Sequence, residues 1–344
     1  PGLNFFILFN TLSCYLNGTG MFVPPAICQI ISAAVYFVSA YVAMITYDLG
    51  LVGCAVAFDV MQAMATILLI IYICWKNPIP NSLFWFRRDS FRKLWKLFKH
   101  EVLVGSMVFF SWIATEITTL YGGKLSIEEF SGQVVVCNIQ VLIYIIPYSF
   151  SNLIISYMGG AMGESDIPKA KKYLYAGLIL AMIGALGVEI LFLVVPRQIL
   201  KFFTSDAATI NYGMILIEFY RAMRPGDFFQ LLLCSGIRAI KKEALGALIL
   251  FIAFYGFELP VCYYLCFIQE MGIRGIAIGQ VATINILFVC FLVVYKYVDW
   301  GKQVDVIHAI LKKEKDQLES PSPKIKKVKV KVKTDSLLDS EANI

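Results

Sequence analysis

Long apolar stretches broken by short polar ones occupy most of this chain. Read by length, they give a partial span at about 1 to 16, then spans at about 24 to 46, 51 to 75, 102 to 121, 132 to 157, 173 to 195, 208 to 237, 244 to 268 and 276 to 298. Each complete stretch reaches the roughly 18 apolar residues that cross a hydrocarbon core. Backbone groups in lipid must be satisfied within the segment, and no alternating strand pattern for a barrel is present, so the spans are helices. The pattern predicts an all-α polytopic membrane protein with nine spans, eight of them complete. Composition agrees, with 59% hydrophobic and 16% charged residues and a mean hydropathy of +0.72.

The pattern also repeats. Gly50, Gly53 and Ala55 stand in GLVGCAVA, and 222 positions later Gly272, Gly275 and Ala277 stand in GIRGIAIG, each string flanked by two apolar spans. Internal duplication of spans is a transporter signature. A repeat of about 220 residues predicts more first-half sequence than the roughly 100 residues that precede Glu101, so the chain reads as lacking about 120 residues of its first half.

Lysines and arginines fall on alternate loops. One side carries Lys76, Arg87, Arg88, Arg92, Lys93, Lys96 and Lys99, then Lys169, Lys171 and Lys172, then Arg238, Lys241 and Lys242, then the tail. The other side holds few cations beside acids such as Asp48, Glu128, Glu129, Asp206 and Glu270. The basic side is expected in the cytoplasm. Residues 76–100, with WFRRDSFRKLWKLFKH, read as an interlobe linker with an interfacial amphipathic helix. Residues 300–344 are too polar to build a core and read as a disordered basic tail, held near anionic lipid by its lysines.

Nine cysteines are scattered through the spans without ligand spacing, and the chain has two histidines, His100 and His308. This points to reduced apolar residues and excludes a structural zinc pattern. The chemistry therefore rests on ionisable groups inside spans, which are costly there: Asp59, Glu116, Glu189, Glu218, Arg221, Arg224, Asp227 and Glu258. At about 1.5 Å per helical residue, Glu116, Asp227 and Glu258 fall in the middle to outer part of one bundle. A desolvated carboxylate holds a proton more tightly, whereas a nearby cation favours its charged form, so proton and cation compete for one site. Glu189 and Glu218 read better as acids paired for packing, and Glu218, Arg221, Arg224 and Asp227, spaced by three, can pair along one helical face.

The stretch IPYSFSNLIISYMGGAMGESDIPKAKKY at 146–173 resembles a motif of the multidrug and toxic compound extrusion (MATE) family, with Pro147, Ser151, Gly159, Gly163, Ala170 and Lys171 on matching positions. YLNGTGMFVP, DLGLVGCAVA, the set Asp227, Gln230 and Arg238, and Tyr255, Pro260 and GIRGIAIG with Gly272 and Gly275 follow in order over about 300 residues. The resemblance implies two six-helix lobes around a central cavity, about nine of twelve helices being present. Residues 1–75 would be three helices of the first lobe, 76–100 the linker, 101–299 the second lobe and 300–344 the tail.

It further implies a secondary antiporter exporting organic cations, drugs or amphipathic metabolites in exchange for protons or sodium, by alternating access. Glu116, Asp227 and Glu258 would bind the proton or cation, and Trp112, Gln140, Tyr144 and Gln230 would line the substrate cavity. Aromatic faces there suit a cation, although such rings more often pack or face lipid. Ser111 stands where the family has a second seventh-helix acid, Tyr157 replaces an Arg, and Glu258 replaces a Gly.

No cofactor beyond the coupling ion is expected, and the chain reads as a monomer in the plasma or an organelle membrane, with its C-terminus cytoplasmic. A lipid-linked oligosaccharide flippase of related architecture would favour a cationic cavity. A membrane enzyme would need a positioned nucleophile, and the two histidines lie at or beyond membrane edges. A non-transporting truncated product is the third alternative.

Overall fold

The computed structural model describes residues 2–18, 20–76 and 94–319. Twelve helices are found among them: α1 (Gly2–Gly18), α2 (Val23–Tyr41), α3 (Gly50–Lys76), α4 (Leu94–Gly122), α5 (Ile127–Gly163), α6 (Ile167–Val194), α7 (Pro196–Phe203), α8 (Ala207–Ala239), α9 (Glu243–Phe251), α10 (Leu259–Tyr263), α11 (Ile273–Tyr297) and α12 (Trp300–Glu319). A π-helical turn, Val42–Thr46, extends α2; two more, Ile252–Glu258 and Tyr264–Ile268, flank α10 and join it to α9 as one rod. Every span expected from the hydrophobic pattern is a helix. Seven of these rods are long and apolar enough to cross a membrane. The other two are α1, with 17 residues, and α8, which carries Glu218, Arg221, Arg224 and Asp227 in its middle. The protein is an integral, multi-pass membrane protein.

The chain divides into two compact units, residues 1–98 and 99–344. In the first, α3 packs against both α1 and α2, around Phe9, Leu16, Cys28, Ala65, Leu69 and Ile73. Asp59 of α3 accepts the Gly2 amide at 2.9 Å, and the Thr66 hydroxyl reaches the Phe5 carbonyl at 2.9 Å. Apolar matching and these two polar ties hold α1 on α3.

In the second unit, α8 packs along α5, α6 and α11. Ser126 and Glu129 close a reciprocal capping box that starts α5, satisfying amide donors that a helix N-terminus leaves free. Pro147 lies inside α5 and is buried. Asp206 caps α8 by accepting from the Thr209 amide at 2.7 Å. Pro225 stands inside α8.

The duplication seen in the sequence is reproduced in backbone detail. Val42–Thr46 and Tyr264–Ile268 are both π-helical and lie 222 residues apart. After each comes a left-handed corner, with φ 52° at Asp48 and 52° at Gly50 against φ 55° at Glu270 and 58° at Gly272. The Leu49 amide donates to Ala43 O at 3.1 Å, and Met271 donates to Leu265 O at 3.1 Å. Gly53 then faces the Ala43 backbone, and Gly275 faces the Leu265 backbone. Only residues without a side chain let the next helix start this close to the preceding one.

One expectation is corrected. The tail is not without structure from residue 300: α12 is a helix to Glu319, because Gln303, Val304 and Ile307 form a buried face. Trp300 receives Lys171 Nζ 5.1 Å from its ring centroid, and His308 Nε2 lies 2.9 Å from Gly163 O and 3.1 Å from Ser165 Oγ. Residues 94–100 of the expected linker are helical and run on into the rest of α4, whose membrane-crossing stretch begins at Glu101. Linker residues 77–93, with most of the expected interfacial helix, and tail residues 320–344 lie outside the described residues.

Candidate functional site

Five helices of the second unit each turn one stripe of side chains into a common space. From α4 come Ser111, Trp112 and Thr115; from α5 Cys137, Gln140, Val141 and Tyr144; from α8 Tyr220, Met223 and Asp227. Phe254 and Glu258 come from the π-helical stretch after α9, and Gln280 and Ile284 from α11. The offsets of three, four and seven are those of a single helical face. Together they bound a cavity of about 180 Å³.

Its wall is aromatic and acidic. The rings of Trp112 and Tyr144 meet edge to face at 6.4 Å, and Tyr144 stacks on Tyr148 at 5.9 Å. Glu258 is only 3% exposed, while Asp227 is half-buried. Among the described residues that line the cavity there is no Lys, Arg or His. One side is stiffened by a chain of hydrogen bonds: Tyr220 Oη donates to Gln280 Oε1 at 2.6 Å, Gln280 Nε2 donates to Thr118 Oγ1 at 3.0 Å, and Thr118 Oγ1 donates to Thr115 O at 2.8 Å. That chain ties α8, α11 and α4 around the cavity.

The π-helical geometry has a local cause. Pro260 has no amide hydrogen, so the helix cannot continue its ordinary ladder through it. The Leu259 amide donates instead to Phe254 O, five residues back. A π turn places one extra residue in the rod and re-aims the side chains beyond it, a device common at functional sites.

Of the residues expected from sequence, Asp227, Glu258, Trp112, Gln140 and Tyr144 meet at this cavity. Two do not. Glu116 is exposed on α4; it lies within electrostatic reach of Cys137 but does not line the cavity. Gln230, one turn beyond Asp227, is buried and outside the lining. The grouping of three carboxylates is therefore two carboxylates here. Arg221 does not pair along α8 either: its Nε donates to Glu189 Oε1 of α6 at 2.6 Å, so Glu189 is a paired acid. Gly159 and Gly163 face open space, and Ser151 Oγ donates to Tyr148 O at 2.7 Å.

Sequence reasoning missed Tyr220 and Gln280. Tyr220 precedes Asp227 by seven residues, on the same face, and Gln280 is one of two amides, with Asn285, in an apolar span. Ser111, which the resemblance places where relatives have an acid, does lie on the wall.

Residues 104–264 match the MatE family model. Over that stretch, just under half of its length, the chain is similar to the MatE family. It is 25% identical over 328 residues to multidrug and toxin extrusion protein 2 of Mus musculus, covering 94% of this chain and 56% of that protein. It is 24% identical over 317 residues to multidrug and toxin extrusion protein 1 of Homo sapiens, covering 91% and 55%. The chain thus spans about half the length of the curated relatives it matches. The eukaryotic MATE transporter AtDTX14 superposes with a TM-score of 0.82 at 19% identity, covering 88% of this chain and 68% of that one. The architecture is that of the MATE fold.

Proposed function

We propose that the protein works as a secondary antiporter, exporting small organic cations or amphipathic compounds in exchange for protons or sodium by alternating access. The observation that carries this reading is a cavity walled by Trp112, Tyr144, Tyr220 and Phe254 with Asp227 and Glu258, and with no cation among the described lining residues. Aromatic faces attract a cation, by about 0.5–2 kcal/mol each depending on desolvation. A carboxylate occupied by a proton cannot also serve as counter-ion to a cation. Loading one cargo therefore expels the other. The names of the mammalian relatives, multidrug and toxin extrusion proteins, support the same class of cargo.

In this reading Asp227 and Glu258 are the exchange site, and Glu116 has no part in the cavity of this unit. The basic loops and the C-terminal tail face the cytoplasm by the distribution of lysine and arginine, and the protein acts as a monomer in the plasma or an organelle membrane. The test is uptake of tetraethylammonium into proteoliposomes of the full-length protein under an imposed proton gradient and, separately, a sodium gradient. Asp227→Asn with Glu258→Gln is expected to abolish gradient-driven uptake. Unchanged uptake by that double variant removes the assignment.

A further inference from the structure

The bundle covers only part of a face that α12 presents. The helix starts three residues after α11 ends at Tyr297, with Asp299 Oδ1 accepting the Lys302 amide at 3.1 Å. Since α11 is long and apolar enough to cross a membrane, the first turn of α12 stands at the level of the lipid headgroups. Its contacts hold it there. The Trp300 ring lies 6.0 Å from that of Tyr295 of α11 and receives Lys171 of α6, while His308, about two turns on, is fixed at the turn from α5 to α6. Both anchors belong to the ends of crossing helices, so α12 runs across the end of the unit rather than away from it.

Gln303, Val304 and Ile307 are the buried part of the face. Ile310 and Leu311, three and four residues beyond Ile307, continue the same face and are 37% and 50% exposed. Val306, one turn before Ile310, is 41% exposed. Lysines border this uncovered half. Lys302 and Lys313 stand four residues before and seven after Val306, along one edge, and Lys312 follows His308 by one turn on the other; all three are exposed. The exposed Asp305 lies on the opposite side of the helix. An apolar strip edged by lysines, beside a bilayer, suits a helix that lies in the membrane interface.

We infer that Val306, Ile310 and Leu311, with Lys302, Lys312 and Lys313, form a docking surface for an anionic lipid bilayer, which clamps α12 onto the end of α5 and α6. Protein covers one half of the helix face and lipid the other. Lysine content alone points the tail toward anionic lipid; the helix adds a built apolar face between the charges. A second copy of the chain would set lysines against lysines, whereas an anionic leaflet brings the complementary sign. The inference is independent of the exchange site proposed above.

The test is amide hydrogen exchange of the full-length protein in nanodiscs of phosphatidylcholine alone and of phosphatidylcholine mixed with phosphatidylserine. Residues 306–313 are expected to exchange about tenfold more slowly in the anionic nanodiscs, and the difference shrinks as salt screens the lysines. Replacing Lys302, Lys312 and Lys313 together by Gln removes the dependence on lipid charge. Ile310→Ser with Leu311→Ser removes the apolar half of the surface and speeds exchange in both compositions.

Equal exchange of residues 306–313 in the two compositions overturns the inference, as does a dependence on lipid charge that survives the loss of all three lysines. Protection that rises with protein concentration in detergent, without lipid, assigns the face to a second copy and overturns it too. The salt series on the parent protein needs no variant to fold: a difference between compositions that high salt leaves untouched is not electrostatic docking and overturns the inference.

Discussion

Asp48 and Glu270 stand 222 residues apart and share a left-handed backbone, φ 52° and 55°, at the same corner of two copies of one helix–turn–helix unit. Each is followed two residues later by a glycine of the same hand, Gly50 and Gly272. The match extends to the hydrogen bonds, Leu49 to Ala43 in one copy and Met271 to Leu265 in the other. A duplicated sequence has kept a duplicated turn, down to an acidic residue in a conformation that L-residues seldom adopt.

The two copies are not equally tight. A methyl group at Gly275 would lie 2.6 Å from the Leu265 carbonyl carbon, whereas one at Gly53 would lie 3.1 Å from Ala43. Gly275→Ala must push backbone aside and is expected to destabilise the protein by about 1–3 kcal/mol, with Gly53→Ala costing less. Thermal unfolding in detergent ranks the two variants; an equal or reversed order contradicts the geometry.

Removing the hydroxyl of Tyr220 leaves Gln280 Oε1 without its 2.6 Å donor. Tyr220→Phe is expected to cost about 1–3 kcal/mol and to weaken tetraethylammonium binding, since Gln280 also bonds Thr118 at 3.0 Å. The measurement is chemical denaturation alongside equilibrium binding, and a variant unaffected in both rules out a structural role for the chain of hydrogen bonds.

Asp206 gives the protein an acid-sensitive cap at the start of α8. Hydrogen bonds from the Thr209 side chain and amide hold its carboxyl below the usual carboxylate range. A lowered folded-state value means the stabilisation is complete above the unfolded value and disappears as pH falls through the lowered one. Asp206→Asn keeps an acceptor but does not titrate. Its unfolding temperature should lie below the parent near neutral pH and converge on it in acid; parallel curves throughout would show that the cap carries no charge contribution.

His308 pins α12 to the end of α5 through Gly163 and Ser165. Its loss, worth about 1 kcal/mol for a typical hydrogen bond, should raise opening of α12 about fivefold. Limited proteolysis between Trp300 and Glu319 of His308→Ala reports this directly, and an unchanged cleavage rate means that the buried Gln303, Val304 and Ile307 face is sufficient.

How much of this was legible beforehand follows from what sets each feature. Span length and apolarity are local properties, so all nine spans could be read, and the glycine strings exposed the repeat because a close helix start admits little else. Asp227 and Glu258 stood out as acids in lipid-length helices. Which face each acid turns inward is a matter of packing, so Glu116, with the same credentials, emerged exposed while unremarked Tyr220 and Gln280 reached the cavity. The pairing of Arg221 with Glu189 was out of reach for the same reason: their 32-residue separation is bridged only once α6 lies beside α8. The tail misled because its composition is polar, yet a short stripe of Gln303, Val304 and Ile307 suffices when a ready surface waits for it.

The longest helix of the bundle, α5, with 37 residues, is finished by a side chain that lies 145 positions further on. A protein cut back to its last membrane span would therefore lose more than an appendage. It would bare the closing carbonyl of α5 and unseat Lys171 from an indole ring. Any trimming of this region for expression is a change to the transmembrane scaffold itself.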